Sequence, residues 1–329
     1  RGEDLLHLLR TEGISVLEVI TLVVDGLPPG YRWLNITANY LGFGLSPAVC
    51  ICLVYVLDRK TVFRRKIRTA ILFEIGYLIF LFVTIPCGMV FSVSADNIYS
   101  RGPHFYIYIV MYFGAILYLS ASTVITAREF QNRSRLLIYP LILFVMAETI
   151  IQVALPELHV TWLCVTLLSV LYFIYCSEMW NQLDALTGLL NQNSYLKQTG
   201  GVRCKGGVLV VFDVDDFKQI NDRYGHIQGD LCLAGIAECI KKSYANFGYC
   251  YRIGGDEFCV LLKNGGNEGR CKQEFLQRLQ EKRGEIAFLP TVSYGSAPFS
   301  GEDIVKVKDR ADQDMYQYKK ERKNRKRLS

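Results

Sequence analysis

The sequence predicts two structural classes in one chain: an N-terminal α-helical transmembrane bundle and a C-terminal α/β domain with helices flanking a sheet. Three observations carry this. Apolar runs of about 20 residues, the length that crosses a bilayer, recur through 34–178. Basic residues gather in alternate loops between those runs. From about residue 180, strand-like β-branched runs alternate with helical stretches, the pattern of an α/β sheet domain. The expected organisation is an extracytoplasmic segment over 1–33, a membrane domain over 34–178 and a cytoplasmic domain over 179–329.

The composition agrees. Of 329 residues, 51% are hydrophobic and 21% charged, and the mean hydropathy is +0.19. Such a chain buries too much apolar surface to be disordered, and its glycines lack the period of a collagen. Its 11 cysteines have no paired spacing, which favours reduced, buried thiols over a disulfide framework. The net charge of +6 is concentrated at one end, where residues 306–329 hold ten Lys and Arg against four Asp and Glu.

The spans are expected near 34–57, 70–93, 104–126, 136–155 and 159–178. Soluble helices seldom stay apolar on every face over such lengths. The 58–69 loop carries Arg59, Lys60, Arg64, Arg65, Lys66 and Arg68, and the 127–135 loop carries Arg128, Arg133 and Arg135. The loops at 94–103 and 156–158 hold only Arg101. Positive-inside counting then puts the first pair of loops, and everything beyond residue 180, in the cytoplasm. An initial Arg in place of Met leaves room for an upstream helix, which would restore an even number of spans. Glu74 and Glu148 fall within expected spans, where an ionisable group is costly and points to a ligand or proton site. The ordinary alternative is a carboxyl near a helix end or hydrogen-bonded inside the bundle, and Glu74 lies only a few residues into its span.

In the second half, SEMWNQLDALTGLLNQNSYLKQ reads as an amphipathic helix continuing the last span. GVLVVFDVDDF reads as a strand ending in acids, and DLCLAGIAECIKKSYA has helical spacing. YCYRIGGDEFCVLL reads as two short strands with glycines supplying the turn. CKQEFLQRLQEKR is helical, PTVSYGSA a strand, and 302–325 a final basic helix.

The acids at the strand ends point to chemistry. Asp213, Asp215 and Asp216 close one apolar strand, and Asp256 and Glu257 sit on the hairpin tip. Carboxylates gathered this way suit Mg2+, which takes one or two of them and fills its shell with water and substrate phosphates. The basic last helix could neutralise those phosphates. Against this, Asp and Gly favour turns, and a polar hairpin tip needs no function.

Residues 184–324 resemble the GGDEF domain of diguanylate cyclases. DALTGLLNQ (184–192) is similar to the opening DxLTGLxNR of that family, and FDVDDFKQINDRYGHIQGD (212–230) to its D-x-D-x-F-K-x-I-N-D-x-x-G-H-x-x-G-D stretch. RIGGDEF (252–258) is the signature itself. TVSYG (291–295) and ADQDMYQYKKERKN (311–324) resemble the later strand and last helix. The resemblance implies a nucleotidyl-cyclase-like domain whose central sheet is mainly antiparallel. It also implies that two GTP molecules are joined into cyclic di-GMP with release of two pyrophosphates.

The implied roles follow residue by residue. Asp213, the Val214 carbonyl and Asp256 would hold Mg2+ or Mn2+. Asp256 is the implied general base, with Glu257 beside it, in a signature loop shaped by Gly254, Gly255 and Phe258. Asn221 and Asp230 would read guanine, Phe217 and Lys218 would line the phosphate loop, and Lys319 and Lys323 would grip the triphosphate. Each domain presents one GTP, so a homodimer is implied, with the membrane half controlling it from a bacterial inner membrane. The alternative is a catalytically silent module that binds GTP or cyclic di-GMP and signals by contact.

The pattern is departed from at Gln192 (usually Arg), at Asp314 and Tyr318 (usually small), at Arg322 (usually Gly) and at Lys323 (usually Arg). ANFG at 245–248 replaces the RxxD of the family's inhibitory product site, so inhibition through that site is not expected. His226 reads as a loop-shaping residue, and the cysteines beyond residue 200 lack zinc spacing. The basic run Lys319–Arg327 suits anionic lipid head groups better than nucleic acid, for which no motif stands beside it.

Overall fold

The computed structural model describes residues 19–57, 64–129, 131, 139–140, 143–144, 146–147, 150–151, 161–200 and 206–328. The chain divides into two compact units, the second of which takes in Met179–Ser329.

The first unit is helical: α1 (Arg32–Leu57), α2 (Arg64–Thr84), α3 (Tyr106–Glu129) and all but the last three residues of α4 (Thr161–Asn181). Three of its segments, Pro29–Tyr55, Ile67–Thr84 and Tyr106–Arg128, are long and apolar enough to cross a membrane. They turn large side chains outward, among them Leu72, Phe73, Phe82, Val83 and Val110. That surface suits contact with lipid, where no hydrophobic effect drives apolar groups inward. Pro47 lies inside α1 and has no N–H to offer the Phe43 carbonyl one turn earlier. The Tyr77 hydroxyl of α2 donates to that carbonyl instead, at 3.5 Å.

The second span ends earlier than the expected 70–93. Helix α2 stops at Thr84, followed by a turn through Pro86 and Gly88, the latter at φ +62°. A short antiparallel hairpin comes next, β1 (Phe91–Val93) with β2 (Tyr99–Arg101). Strands of three residues give too little periodicity to be read from sequence. The hairpin is pinned by two polar side chains, of which Asn97 is buried and needs such partners. Asn97, at the turn, donates to the carbonyls of Val24 (2.7 Å) and Leu27 (3.0 Å), and Arg32 donates to those of Val93 and Ser94. The fifth expected span corresponds to α4. Most of the fourth lies outside the described residues, and Glu148 with it.

The second unit runs α5 (Gln192–Thr199), β3 (Gly207–Val214), α6 (Phe217–Tyr224), α7 (His226–Tyr244), β4 (Gly248–Arg252), β5 (Glu257–Leu262), α8 (Glu268–Glu285), β6 (Val292–Phe299) and α9 (Ile304–Leu328). Its four strands lie in the order β4-β5-β3-β6, with every pair antiparallel. Strand β3 is central and covered on both faces, which is why its sequence reads as a continuous apolar run. Val208, Val210 and Phe212 pack with Leu233, Ile236 and Ile240 of α7 and Phe275 and Leu279 of α8. Leu209 and Val211 face the opposite way, toward Val307 and Ala311 of α9.

Two local features position the site. A Cβ at Gly295 would collide with the Ala311 carbonyl oxygen and the Met315 nitrogen, so α9 lies directly on β6 only because no side chain stands there. The amphipathic helix expected through 177–198 is interrupted after Asn181. Asp184 accepts from the Thr187 amide (2.9 Å) and hydroxyl (2.6 Å), a local bond that competes with helix, and Gly188 takes φ +67°. The chain then runs beside β4, where the Leu190 amide donates to the Cys250 carbonyl (3.0 Å) and the Arg252 amide to the Leu190 carbonyl (2.8 Å).

Candidate active site

Antiparallel pairing brings the end of β3 to the start of β5. Asp213 stands opposite Glu257, and the Val214 amide donates to the Asp256 carbonyl at 3.2 Å. Asp213, Val214, Asp256 and Glu257 therefore share one end of the sheet. Glu257 is exposed and Asp256 half-buried, while Phe258 is fully buried and anchors the loop in the core. The turn is closed by the Glu257 carbonyl, which accepts from the amides of Ile253 (3.0 Å) and Gly254 (3.3 Å). Neither signature glycine is among those with positive φ. Gly254 instead leaves room for Glu257, whose Cβ would lie 3.3 Å from a Cβ at 254.

A brace not foreseen from the sequence holds this loop. Arg252 donates to the Gly255 carbonyl through Nε (3.2 Å) and Nη2 (2.7 Å), and its Nη1 reaches Asp184 Oδ1 at 3.1 Å. Burial pushes the Asp184 carboxyl up, but the Thr187 hydroxyl and amide and the Arg252 guanidinium together hold it below its ordinary range. Both partners belong to motifs quoted above; only their pairing was hidden.

Beyond β3 the chain turns sharply. Asp216 adopts a left-handed conformation (φ 53°, ψ 29°) at the start of α6, one that Asp tolerates better than most residues. Phe217 and Lys218 then occupy the first turn of α6, where backbone N–H groups have no partner within the helix and favour anions. Asn221 follows on the same helix and Asp230 lies on α7. A Cβ at Gly229 would collide with Asn221 Oδ1, so Asn221 lies against the α7 backbone at the residue before Asp230.

Helix α9 closes the site. Lys319 Nζ is 2.5 Å from Asp213 Oδ1 and 3.5 Å from Asp215 Oδ1. Burial pushes the Lys319 ammonium down, but the hydrogen bond it donates to Asp213 and the charges of Asp213 and Asp215 more than offset this and raise it. Lys323 follows one turn later on α9; its side chain lies outside the described residues. Asp215 is buried and accepts from Thr291 Oγ1 and Ser293 Oγ, each at 2.7 Å, and from Arg322 Nη1 at 3.1 Å. Three departures in the last helix thus have structural roles. Asp314 accepts from the Ser296 amide at 2.9 Å, Tyr318 packs on Tyr294 with ring centroids 4.5 Å apart, and Arg322 engages Asp215.

The donor types at this end of the sheet are those a hard divalent cation takes. No cluster of three His, Cys, Asp or Glu side chains with ligand spacing occurs among the described residues. Two carboxylates and a backbone carbonyl are nevertheless the kind of partial shell that Mg2+ completes with water and phosphate oxygens. Asp213 already holds a cationic group in Lys319.

In the first unit, Glu74 is only 7% exposed, and neither of its oxygens has a hydrogen-bond partner among the described residues.

The sequence profile described as diguanylate cyclase, GGDEF domain, matches residues 181–325. This region is a GGDEF domain. Over it the chain is 32% identical across 154 residues to diguanylate cyclase DgcS of Shewanella oneidensis, a match covering 44% of this chain and 52% of that protein. It is 29% identical across 165 residues to diguanylate cyclase DgcZ of Escherichia coli, covering 47% and 55%. Among solved structures, the GGDEF domain of DgcB from Caulobacter crescentus, in complex with c-di-GMP, is 27% identical. That match covers 42% of this chain and 90% of the DgcB domain, with a TM-score of 0.34. The chain thus spans about half the length of these two curated relatives. The GGDEF domain has its signature on the β4–β5 turn, with its first motif bracing that turn and its last helix crossing the sheet end.

Proposed function

We propose that the protein is a diguanylate cyclase: it condenses two GTP molecules into cyclic di-GMP and releases two pyrophosphates. The observation that carries this reading is the meeting of Asp213, Val214, Asp256 and Glu257 at one end of the sheet, with Lys319 reaching Asp213 from α9.

In this reading Asn221 and Asp230 hold the guanine edge, one through its amide and the other as an acceptor. The first turn of α6, with Phe217 and Lys218, lies along the phosphates, and Lys319 and Lys323 hold the triphosphate end. Asp256 takes the proton of the 3′-hydroxyl as that oxygen attacks the α-phosphorus of the second GTP and pyrophosphate leaves. Glu257 orients Asp256. Mg2+ or Mn2+, held by Asp213, the Val214 carbonyl and Asp256, supplies charge neutralisation at the phosphates. The step is repeated once to close the ring.

Each domain offers one nucleotide, so two copies must face each other, and control of that pairing falls to the membrane unit. We place the protein in a bacterial inner membrane as a multi-pass chain, with residues 179–329 cytoplasmic on the charge pattern of the loops. The basic run Lys319–Arg327 has the composition that attracts anionic head groups. Within the membrane unit, Glu74 and Glu148 are the candidates for signal input; Glu74 is a buried carboxyl without a hydrogen-bond partner among the described residues, which is costly.

The test is to incubate the detergent-solubilised full chain with GTP and Mg2+ and follow cyclic di-GMP by mass spectrometry, beside an Asp256→Ala variant. Product from the wild type alone is expected. A dimeric wild type that binds GTP but makes no product would turn the reading to a nucleotide receptor.

A further inference from the structure

We infer that Arg322 is a positioning residue for the triphosphate of GTP, acting through Asp215 to fix where α9 carries Lys319 over Asp213. The inference rests on the nucleotide site proposed above.

Asp215 directly follows the strand that bears Asp213 and belongs to the acidic cluster whose composition suits Mg2+. Its hydrogen bonds say otherwise. One oxygen accepts from Ser293 Oγ, the other from Thr291 Oγ1 and Arg322 Nη1, and the carboxylate is buried between β3 and β6 with Lys319 Nζ 3.5 Å away. A carboxylate so engaged is a fixed anchor rather than an open ligand.

Arg322 reaches this anchor from α9 and is held on its other sides. The same Nη1 lies 3.3 Å from the Val292 carbonyl, and its guanidinium stands 5.9 Å from the Tyr318 ring, which itself packs on Tyr294. Arg322 lies three residues after Lys319, so the two project from nearly the same face of the helix. The guanidinium thereby ties the turn that bears Lys319 to the strands that bear Asp213. The glycine usual at this position in the family pattern can make none of these contacts. Arg283 of α8 also lies near: burial first, then the Arg322 charge, push its guanidinium down. Lys319 and Arg322 thus both engage the acids at the end of β3.

The experiment compares two ligands on the full-length, detergent-solubilised protein in Mg2+. One is 3′-deoxy-GTP, which carries the triphosphate but has no hydroxyl to condense. The other is guanosine monophosphate, which keeps the base and the α-phosphate alone. Calorimetry on Arg322→Gly is expected to show about a tenfold weaker affinity for 3′-deoxy-GTP, the scale of one charge-assisted hydrogen bond, and an unchanged affinity for the monophosphate. Arg322→Lys should recover most of the loss. In turnover, KM for GTP should rise by the same factor while kcat moves little. Equal weakening of both ligands would assign Arg322 to general folding and overturn the inference, as would no weakening of either. Should Arg322→Gly not fold, Arg322→Gln carries the same comparison. A wild type that binds 3′-deoxy-GTP but forms no cyclic di-GMP from GTP would sink the cyclase reading while leaving this comparison decisive.

Discussion

Arg252 Nη1 meets Asp184 Oδ1 at 3.1 Å, across 68 positions of sequence, while the rest of the guanidinium holds the Gly255 carbonyl. The opening motif and the signature loop are thereby one unit. Asp256, the proposed base, directly follows the residue being held.

Removing that brace should separate activity from stability. Arg252→Ala leaves Asp184 and the Gly255 carbonyl without their partner, and the domain should lose about 2 kcal/mol, typical of a partly buried charged hydrogen bond. Cyclic di-GMP formation should fall by a larger factor than that loss alone predicts, because the loop bearing Asp256 is freed. Denaturant melts and turnover on the same preparation check both. A fall in stability with undiminished turnover of the folded fraction would show that the loop does not need the brace.

The same pair fixes an acid sensitivity. The folded Asp184 carboxyl is held below its ordinary value, so its contribution is present above the unfolded pKa and is lost as the pH falls through the folded one. Asp184→Asn should therefore flatten the acid limb of a stability–pH curve and lower stability at neutral pH. An unchanged acid limb would remove this residue from the account.

Gly295 makes a packing prediction. Gly295→Ala puts a methyl group against the backbone of Ala311 and Met315, and neither can yield as a flexible side chain would. The cost should be about 1–3 kcal/mol, the range for overpacking. Because α9 must lift to relieve the clash, Lys319 should also retreat from Asp213, raising KM for GTP. Thermal melts and steady-state kinetics together test this.

In the first unit, Glu74→Gln keeps the shape of the side chain and deletes its charge. The protein should insert and fold normally, and its cyclic di-GMP output in lipid vesicles should shift to a new level. Glu74→Leu should shift output in the same direction. Output identical to wild type in both variants would leave Glu74 without a signalling role.

What was legible in the sequence is what repeats locally. Strand β3 was visible because burial on both faces leaves an unbroken apolar run. The hairpin at RIGGDEF, the helix over 268–285 and the basic last helix carried their own periodicity. The β1–β2 hairpin was missed because strands of three residues have no measurable period, and the break at 182–191 because it depends on an Asp184–Thr187 bond inside an otherwise amphipathic stretch. The site divides in the same way. Asp213, Asn221, Asp230 and Asp256 are recognisable from their motifs. The work of Arg322 is not, because its partner lies 107 positions away and exists only once β6 and α9 are packed.

The Leu190 bonds to β4 have a practical consequence for anyone cutting the chain. Strand β4 stands at the border of its sheet, and the run through Leu190 occupies its outer hydrogen-bonding groups at Cys250 and Arg252. A soluble fragment begun after Leu190 would bare that border and offer a template for strand addition by a second molecule. Fragments starting upstream of Leu183 should stay dispersed, and those starting at Asn191 should cluster.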